Sequence, residues 1–385
     1  MDVNDHFPSD SPPPRRWPRV LVTLAAFLVV VVVVSSHIEL NYYVLTPGVA
    51  QPVAPLVTVP SQLDHPLDGT LLLTDVYVSQ VTLLDYVPDV LNGDAQVLSA
   101  ATLLGPYTPP DQLTEQGYIE MAQSQSAAKA AALTRLGYTV TQKGVGAMLF
   151  AVEANSPASS HLKVGQIITA VNGVPTTDAC AVVAALHPEA PGTTVRLSVE
   201  QSVVTTRAVV RSGPTVVQSI RLGKAPSHQR DTASGCPGVH GPPRSYLGVV
   251  LSDQVDFTYP VHVTISTSDI GGPSAGLAMT LGIVDKLGGG RITGGRRVAA
   301  TGTIDPQGQV GDVGGVAQKT IAVERAGATV FFVPPQEYQA AKSKDIPSLR
   351  VYPVTSLDQA LSILHRLGGQ LPATPGRNSA PSTGG

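Results

Sequence analysis

An α+β multidomain fold with one N-terminal transmembrane helix is what this 385-residue sequence predicts. Three observations predict it. Apolar residues alternate along short stretches that Gly and Pro interrupt, the pattern of strands joined by turns. Residues 115–136, 177–186 and 277–287 lack Pro and read as helices. Residues 20–34 form an apolar run broken only by Thr23. The composition agrees. Only 14% of residues are charged, against 37 glycines and 33 prolines, which suits strands and turns better than a helical bundle. The length allows two or three domains with their own cores. A net charge of −3 leaves no basic footprint, so no nucleic-acid partner is expected.

Residues 1–19 are rich in Pro, Asp and Ser and read as a disordered cytoplasmic tail. Residues 20–36 read as an uncleaved signal anchor. Trp17 at one end and Ser35 and Ser36 at the other extend the apolar run toward the two interfaces. Arg15, Arg16 and Arg19 precede it, which keeps the N-terminus in the cytoplasm and sends the chain beyond residue 37 outside. A cleaved signal peptide is the other reading. Against it, Ser35-Ser36-His37-Ile38-Glu39-Leu40 holds no small-x-small cleavage site. Two cysteines, Cys180 and Cys236, could pair in that compartment, and the sequence leaves the pairing open.

Residues 37–140 read as a β-rich region with one helix, ended by Gly137. The helix positions Ile119, Ala122, Ala130 and Leu133 read as a packing face. Residues 141–212 follow as a compact unit. Gly144-Val145-Gly146-Ala147-Met148 reads as a glycine-bearing loop running into a strand. Asn172-Gly173 between apolar segments is a hairpin signal, because both residues tolerate positive φ. Residues 213–245 have no periodic pattern and read as a linker. Residues 246–367 carry the candidate chemistry, and 368–385 read as a disordered tail of Gly, Pro and Ser.

The unit at 141–212 resembles a PDZ domain of the kind found beside bacterial envelope proteases. The resemblance rests on Ser156-Pro157-Ala158, on Leu162-Lys163-Val164-Gly165-Gln166-Ile167-Ile168 and on Val171-Asn172-Gly173. Gln166 departs from it, where an acidic residue is common. The resemblance implies that Gly144, Val145, Gly146, Ala147 and Met148 offer backbone N–H groups to a peptide carboxylate. The peptide would add to the sheet as a strand. If the resemblance is set aside, the glycines only make a turn.

In the last region an alternating strand, 261–267, leads to Gly272-Pro273-Ser274-Ala275-Gly276 and then to a helix. A serine between small residues at a helix N-terminus is unshielded and faces free N–H groups suited to an oxyanion. Lys319 lies early in a later helix beside Val316, Ala317 and Ile321. A lysine desolvated by such neighbours can act as a general base near neutral pH. The order of Gly272–Gly276, Thr301-Gly302-Thr303-Ile304 with Gly308 and Val310, and Gly314-Gly315-Val316 with Lys319 resembles the proteolytic domain of Lon-type proteases. The nearest subgroup is membrane-anchored and bacterial, with a PDZ domain and no ATPase.

That resemblance implies Ser274 as nucleophile and Lys319 as general base. It implies Thr301 as a residue orienting the lysine and the backbone around Gly272 to Ser274, Gly272 and Pro273 included, as part of the oxyanion hole. One feature departs. Many Lon proteases hold an acid three positions before the serine, where this chain has Gly271; a role for Asp269 stays open. His262, in an alternating strand, reads as a surface residue. Gly314 to Thr320 lacks the glycine directly before the lysine that a phosphate loop needs, so no ATP site is expected. Nine histidines and two cysteines show no metal-ligand spacing, and no metal or other cofactor is expected.

The reading is therefore an ATP-independent serine endopeptidase of the bacterial cell envelope, acting on extracytoplasmic polypeptides through a Ser/Lys dyad. Its PDZ domain would bind substrate or regulate access. The rival is a PDZ-based peptide-binding scaffold with a silent or triggered protease domain. A third reading is a protein that cuts its own linker. Substrate, trigger and oligomeric state are not legible.

Overall fold

The computed structural model describes residues 17–105, 109–204, 209–226, 235–267 and 270–374. Asp269, most of the N-terminal tail, residues 227–234 of the predicted linker and residues 375–385 lie outside these. Helix α1 (Trp17–His37) is the apolar run. From Val20 to His37 it is long and apolar enough to cross a membrane, and none of that window is buried against the rest of the chain. A signal sequence meets the same description.

Strands β1 (Glu39–Pro52), β2 (Thr70–Thr82) and β3 (Gln96–Ser99) come next, followed by helix α2 (Leu113–Arg135). Then come β4 (Thr141–Val152), β5 (Ile167–Val171), α3 (Ala179–Leu186), β6 (Thr194–Val204), β7 (Val209–Arg221) and β8 (Val249–Thr258). The chain continues through α4 (Gly276–Gly288), β9 (Arg297–Ala300), α5 (Val316–Arg325), β10 (Val330–Val333), β11 (Arg350–Pro353) and α6 (Leu357–Arg366). Shorter elements are named by their residues.

One sheet runs β11-β10-β9-β2-β1-β3. β9 lies parallel to both β2 and β10, and β10 parallel to β11; β1 is antiparallel to its two neighbours. Period-two alternation sorts the side chains between two cores. Leu71, Leu73, Val298, Ala300 and Phe332 pack with α2, α4 and α6. Leu72, Ala299, Phe331 and Val333 pack with Val316 and Val323 of α5. Helices cover both faces, which makes these strands near-continuous apolar runs.

This sheet corrects the reading of residues 37–140 as a region apart. Its strands come from both ends of the chain, and α2 shares a core with α4. The N-terminal segment and the segment after β8 are halves of one body.

The second sheet, β8-β4-β5-β6-β7, is inserted between those halves. Its inner face packs Leu149, Ile168, Leu197 and Val199 against Val182 of α3. Asn172 and Gly173 have φ of 51° and 82°, which makes the predicted hairpin turn. Asp178 caps α3 by accepting from the Ala181 N–H at 2.7 Å. Cys180 and Cys236 are joined by a disulfide.

Three boundaries shift. Residues 213–221 are not linker; they continue β7, which pairs with β6 as far as Arg221. β7 is an edge strand, and an edge tolerates the Gly213-Pro214 pair that reads as a break. Residues 249–258 close the second sheet instead of opening the last domain. Residues 368–374 are not loose: Gln370 and Ala373 donate N–H bonds to the Arg291 and Gly288 carbonyls. The strand predicted at 261–267 shrinks to Thr264–Ile265, paired with Val57–Thr58. Its alternation survives as burial, with Val261, Val263 and Ile265 in and His262 out.

Candidate active site

Ser274 sits, half-buried, in the turn that enters α4. Gly272 makes the turn at φ +83°, a conformation that favours glycine. The Ser274 N–H meets no acceptor among the described residues. Gly276 lets the turn pack closely, since a Cβ there would lie 2.9 Å from the Ile304 nitrogen and 3.0 Å from Ser124 Oγ.

Two members of the predicted oxyanion stretch, Gly272 and Pro273, are corrected as donors. The Gly272 N–H donates to the Gly117 carbonyl at 2.8 Å and is taken. Pro273 has no N–H to give. The Ser274 and Ala275 N–H groups, at the positive end of α4, meet no acceptor among the described residues.

Helix α2 backs this turn. Besides the Gly117 carbonyl, Ser124 Oγ donates to the Pro273 carbonyl at 3.0 Å, and Gln125 Nε2 donates to Thr267 Oγ1 at 3.0 Å. Sequence reasoning missed these residues. Polar side chains in an Ala-rich helix look solvent-facing until the partner is known.

Lys319 lies at the end of the first turn of α5, the residue 2% exposed. Gly315 caps that helix at φ 68°; a Cβ there would lie 2.9 Å from a Val76 methyl. Lys319 Nζ donates to Thr301 Oγ1 at 3.3 Å, and Thr301 Oγ1 donates to the Ser274 carbonyl at 3.2 Å. The Gly302 N–H donates to the same carbonyl at 2.9 Å. Thr301 thus stands between the lysine and the serine backbone. No hydrogen bond joins Ser274 Oγ to Lys319 Nζ among the described residues; such bonds often tighten only when substrate is bound.

Burial pushes the Lys319 pKa down from 10.5 to about 8. Asp75 in β2, and Glu337 in the turn before Tyr338–Lys342, favour the charged form and oppose that effect more weakly. Neither carboxylate was anticipated. A base of this kind, beside a serine at a helix N-terminus, can support acyl transfer.

The predicted peptide-carboxylate loop is also corrected. Gly144, Val145, Gly146, Ala147 and Met148 lie inside β4, not in a loop. Ala147 and Met148 pair with Asp253 and Ser252 of β8 on one side and with Ile168 and Ile167 of β5 on the other. No strand can add there. The glycines serve close packing: a Cβ on Gly144 would meet the Thr177 carbonyl at 2.6 Å, and one on Gly146 the Ile168 carbonyl at 2.6 Å. The edges of this sheet are β7 and β8, and β8 is the one tied to α3, where the Ala179 N–H donates to Asp253 Oδ1 at 2.9 Å. His262 is exposed, and its ring nitrogen lies 3.3 Å from Thr264 Oγ1.

Residues 251–365, which hold Ser274, Thr301 and Lys319, match the family model of the Lon protease (S16) C-terminal proteolytic domain, a serine-peptidase domain. The Lon protease of Rickettsia bellii is 34% identical over 120 residues, covering 30% of this chain and 15% of its own. The Lon protease of Azorhizobium caulinodans is 38% identical over 106 residues, covering 26% of this chain and 12% of its own. The chain therefore spans a small part of these relatives' length. Among solved structures, the PDZ domain of the SdrC-like protein from Listeria monocytogenes is similar with a TM-score of 0.21 and 16% identity, covering 28% of this chain and 87% of that one.

Proposed function

We propose that the chain is an ATP-independent serine endopeptidase of the bacterial cell envelope, with Ser274 as nucleophile and Lys319 as general base. The observation that carries this reading is Lys319. It is a buried lysine, poised near pH 8, tied through Thr301 to the backbone of a helix-terminal serine. Ser274 Oγ attacks the substrate carbonyl while its proton passes to Lys319 Nζ. The oxyanion forms against the Ser274 N–H. The intermediate collapses, the C–N bond breaks and Lys319 returns the proton to the leaving amine. Water, deprotonated by Lys319, then cleaves the acyl-enzyme. Thr301 is a positioning residue.

The inserted sheet serves as a peptide-binding unit of PDZ type. An extended polypeptide adds to the free edge of β8, beside α3. Helix α1 anchors the chain with its N-terminus in the cytoplasm, in keeping with the arginines that precede it. The Cys180–Cys236 disulfide supports an oxidising compartment for the rest.

The test is cleavage of denatured casein by the full chain in detergent, without nucleotide, beside Ser274→Ala and Lys319→Ala. Cleavage that both substitutions abolish is the expected result. Cleavage that survives Ser274→Ala sinks the mechanism. Silence of the wild type favours the scaffold reading.

A further inference from the structure

A cleft of about 450 Å³ opens beside the nucleophile, walled by Phe150 and Leu251 of the inserted sheet, Glu120 of α2, and Pro273, Ile304 and Pro306. It holds two carboxylates and no basic residue. Asp305 is occupied: its Oδ1 accepts from the Gln307 and Gln309 N–H groups at 3.0 and 2.7 Å. Glu120 makes no hydrogen bond or ion pair among the described residues, yet it is half-buried. The nearest lysine along α2, Lys129, lies over the Tyr259 ring at 4.9 Å and lines a neighbouring cleft.

Helix geometry aims Glu120 at the site. Gly117, Glu120 and Ser124 follow the spacing that places residues on one helix face. The first and last of them hold the chain just ahead of Ser274, through the Gly272 N–H and the Pro273 carbonyl. Glu120 stands between these anchors. A carboxylate withdrawn from water without a cation is costly, and burial accordingly raises the Glu120 pKa. A Lys or Arg side chain would supply the missing charge, and its aliphatic stem would pack on Phe150, Leu251 and Ile304.

We propose that Glu120 is the specificity-determining residue of a pocket that takes a basic substrate side chain next to the scissile bond. This rests on the peptidase reading. Two of the walls come from the inserted sheet, so the pocket is complete only when that sheet is in place.

The experiment digests denatured casein with the full chain and maps the cuts by mass spectrometry. In parallel, Ser274 is labelled with a small fluorophosphonate that carries no side chain. Cuts should cluster at Lys and Arg. Glu120→Gln should lower kcat/KM on a basic peptide by about 10-fold or more, as expected for removing one partner of a desolvated pair. Glu120→Lys should move the cuts toward Asp and Glu. Fluorophosphonate labelling of each variant shows that its site is folded. Cuts indifferent to side-chain charge, or a pattern unchanged in both labelled variants, would overturn the proposal while leaving the dyad intact. Wild type that neither cuts nor labels removes the peptidase reading, and this proposal with it.

Discussion

Burial sets the titration of Lys319, and that has consequences for both rate and stability. Below about pH 8 the folded protein carries an ammonium group in an apolar setting; the unfolded chain keeps its proton up to 10.5. Between those values the unfolded state binds more protons, so this residue makes stability rise with pH from about 8 to 10.5. Peptidase activity should rise through the same lower value, near pH 8, as the base becomes available. Lys319→Met should abolish cleavage and yet raise stability at pH 7. The drop from 10.5 to about 8 corresponds to about 3 kcal/mol as an upper figure. The gain should shrink above pH 10, and urea unfolding at the two pH values measures it. A variant less stable than wild type at pH 7 would show that Lys319 is paired and charged there. Ser274, Thr301 and Lys319 could be singled out as candidates because each sits in a short local pattern of small residues. Asp75 was not, since a single acid in a strand carries no sign of a lysine far along the chain.

The elements around the site are set by close approach more than by propensity. Ala normally stabilises a helix relative to Gly by up to about 1 kcal/mol. Gly117 follows that rule on paper: a Cβ there meets the Gly272 nitrogen at 3.5 Å and Gly271 Cα at 3.6 Å, ordinary contacts. Gly117→Ala should therefore stabilise by about 0.5–1 kcal/mol. Gly276 should do the opposite. Its added Cβ would press on the Ile304 backbone at 2.9 Å, so Gly276→Ala should cost about 1–3 kcal/mol and displace Ser274. Thermal unfolding of the pair gives the two signs, and equal shifts in one direction would contradict this packing. Helices α2, α4 and α5 were legible to within a few residues because their patterns are long. The stretch from Gly144 to Met148 was misread because glycine signals a turn as readily as a strand that needs room for a neighbouring carbonyl.

At the scale of the whole molecule, the segment that matches the Lon proteolytic domain is not a complete folding unit in this chain. Its central strand β9 pairs with β2, from the far side of the inserted sheet. Its helix α4 buries Leu277 and Met279 in a core completed by Leu71, Leu73, Met121 and Leu133, all from before residue 140. Its first strand, β8, pairs along its length with β4. No motif reveals this. Local patterning reads residues 71–78 as a short strand, but pairing of β2 with residues 297–300 is non-local and leaves no local trace. A fragment of residues 246–367 should therefore be unfolded, because its share of the core faces water and its conformational entropy is not offset. A fragment of residues 38–374 keeps every pairing named above and should fold cooperatively. Far-UV circular dichroism and the dispersion of backbone amide NMR signals separate the two outcomes. A dispersed spectrum from residues 246–367 alone would mean that β9 and α4 hold together without β2 and α2. The N-terminal half would then serve only to position Glu120, Gly117 and Ser124 against the nucleophile turn.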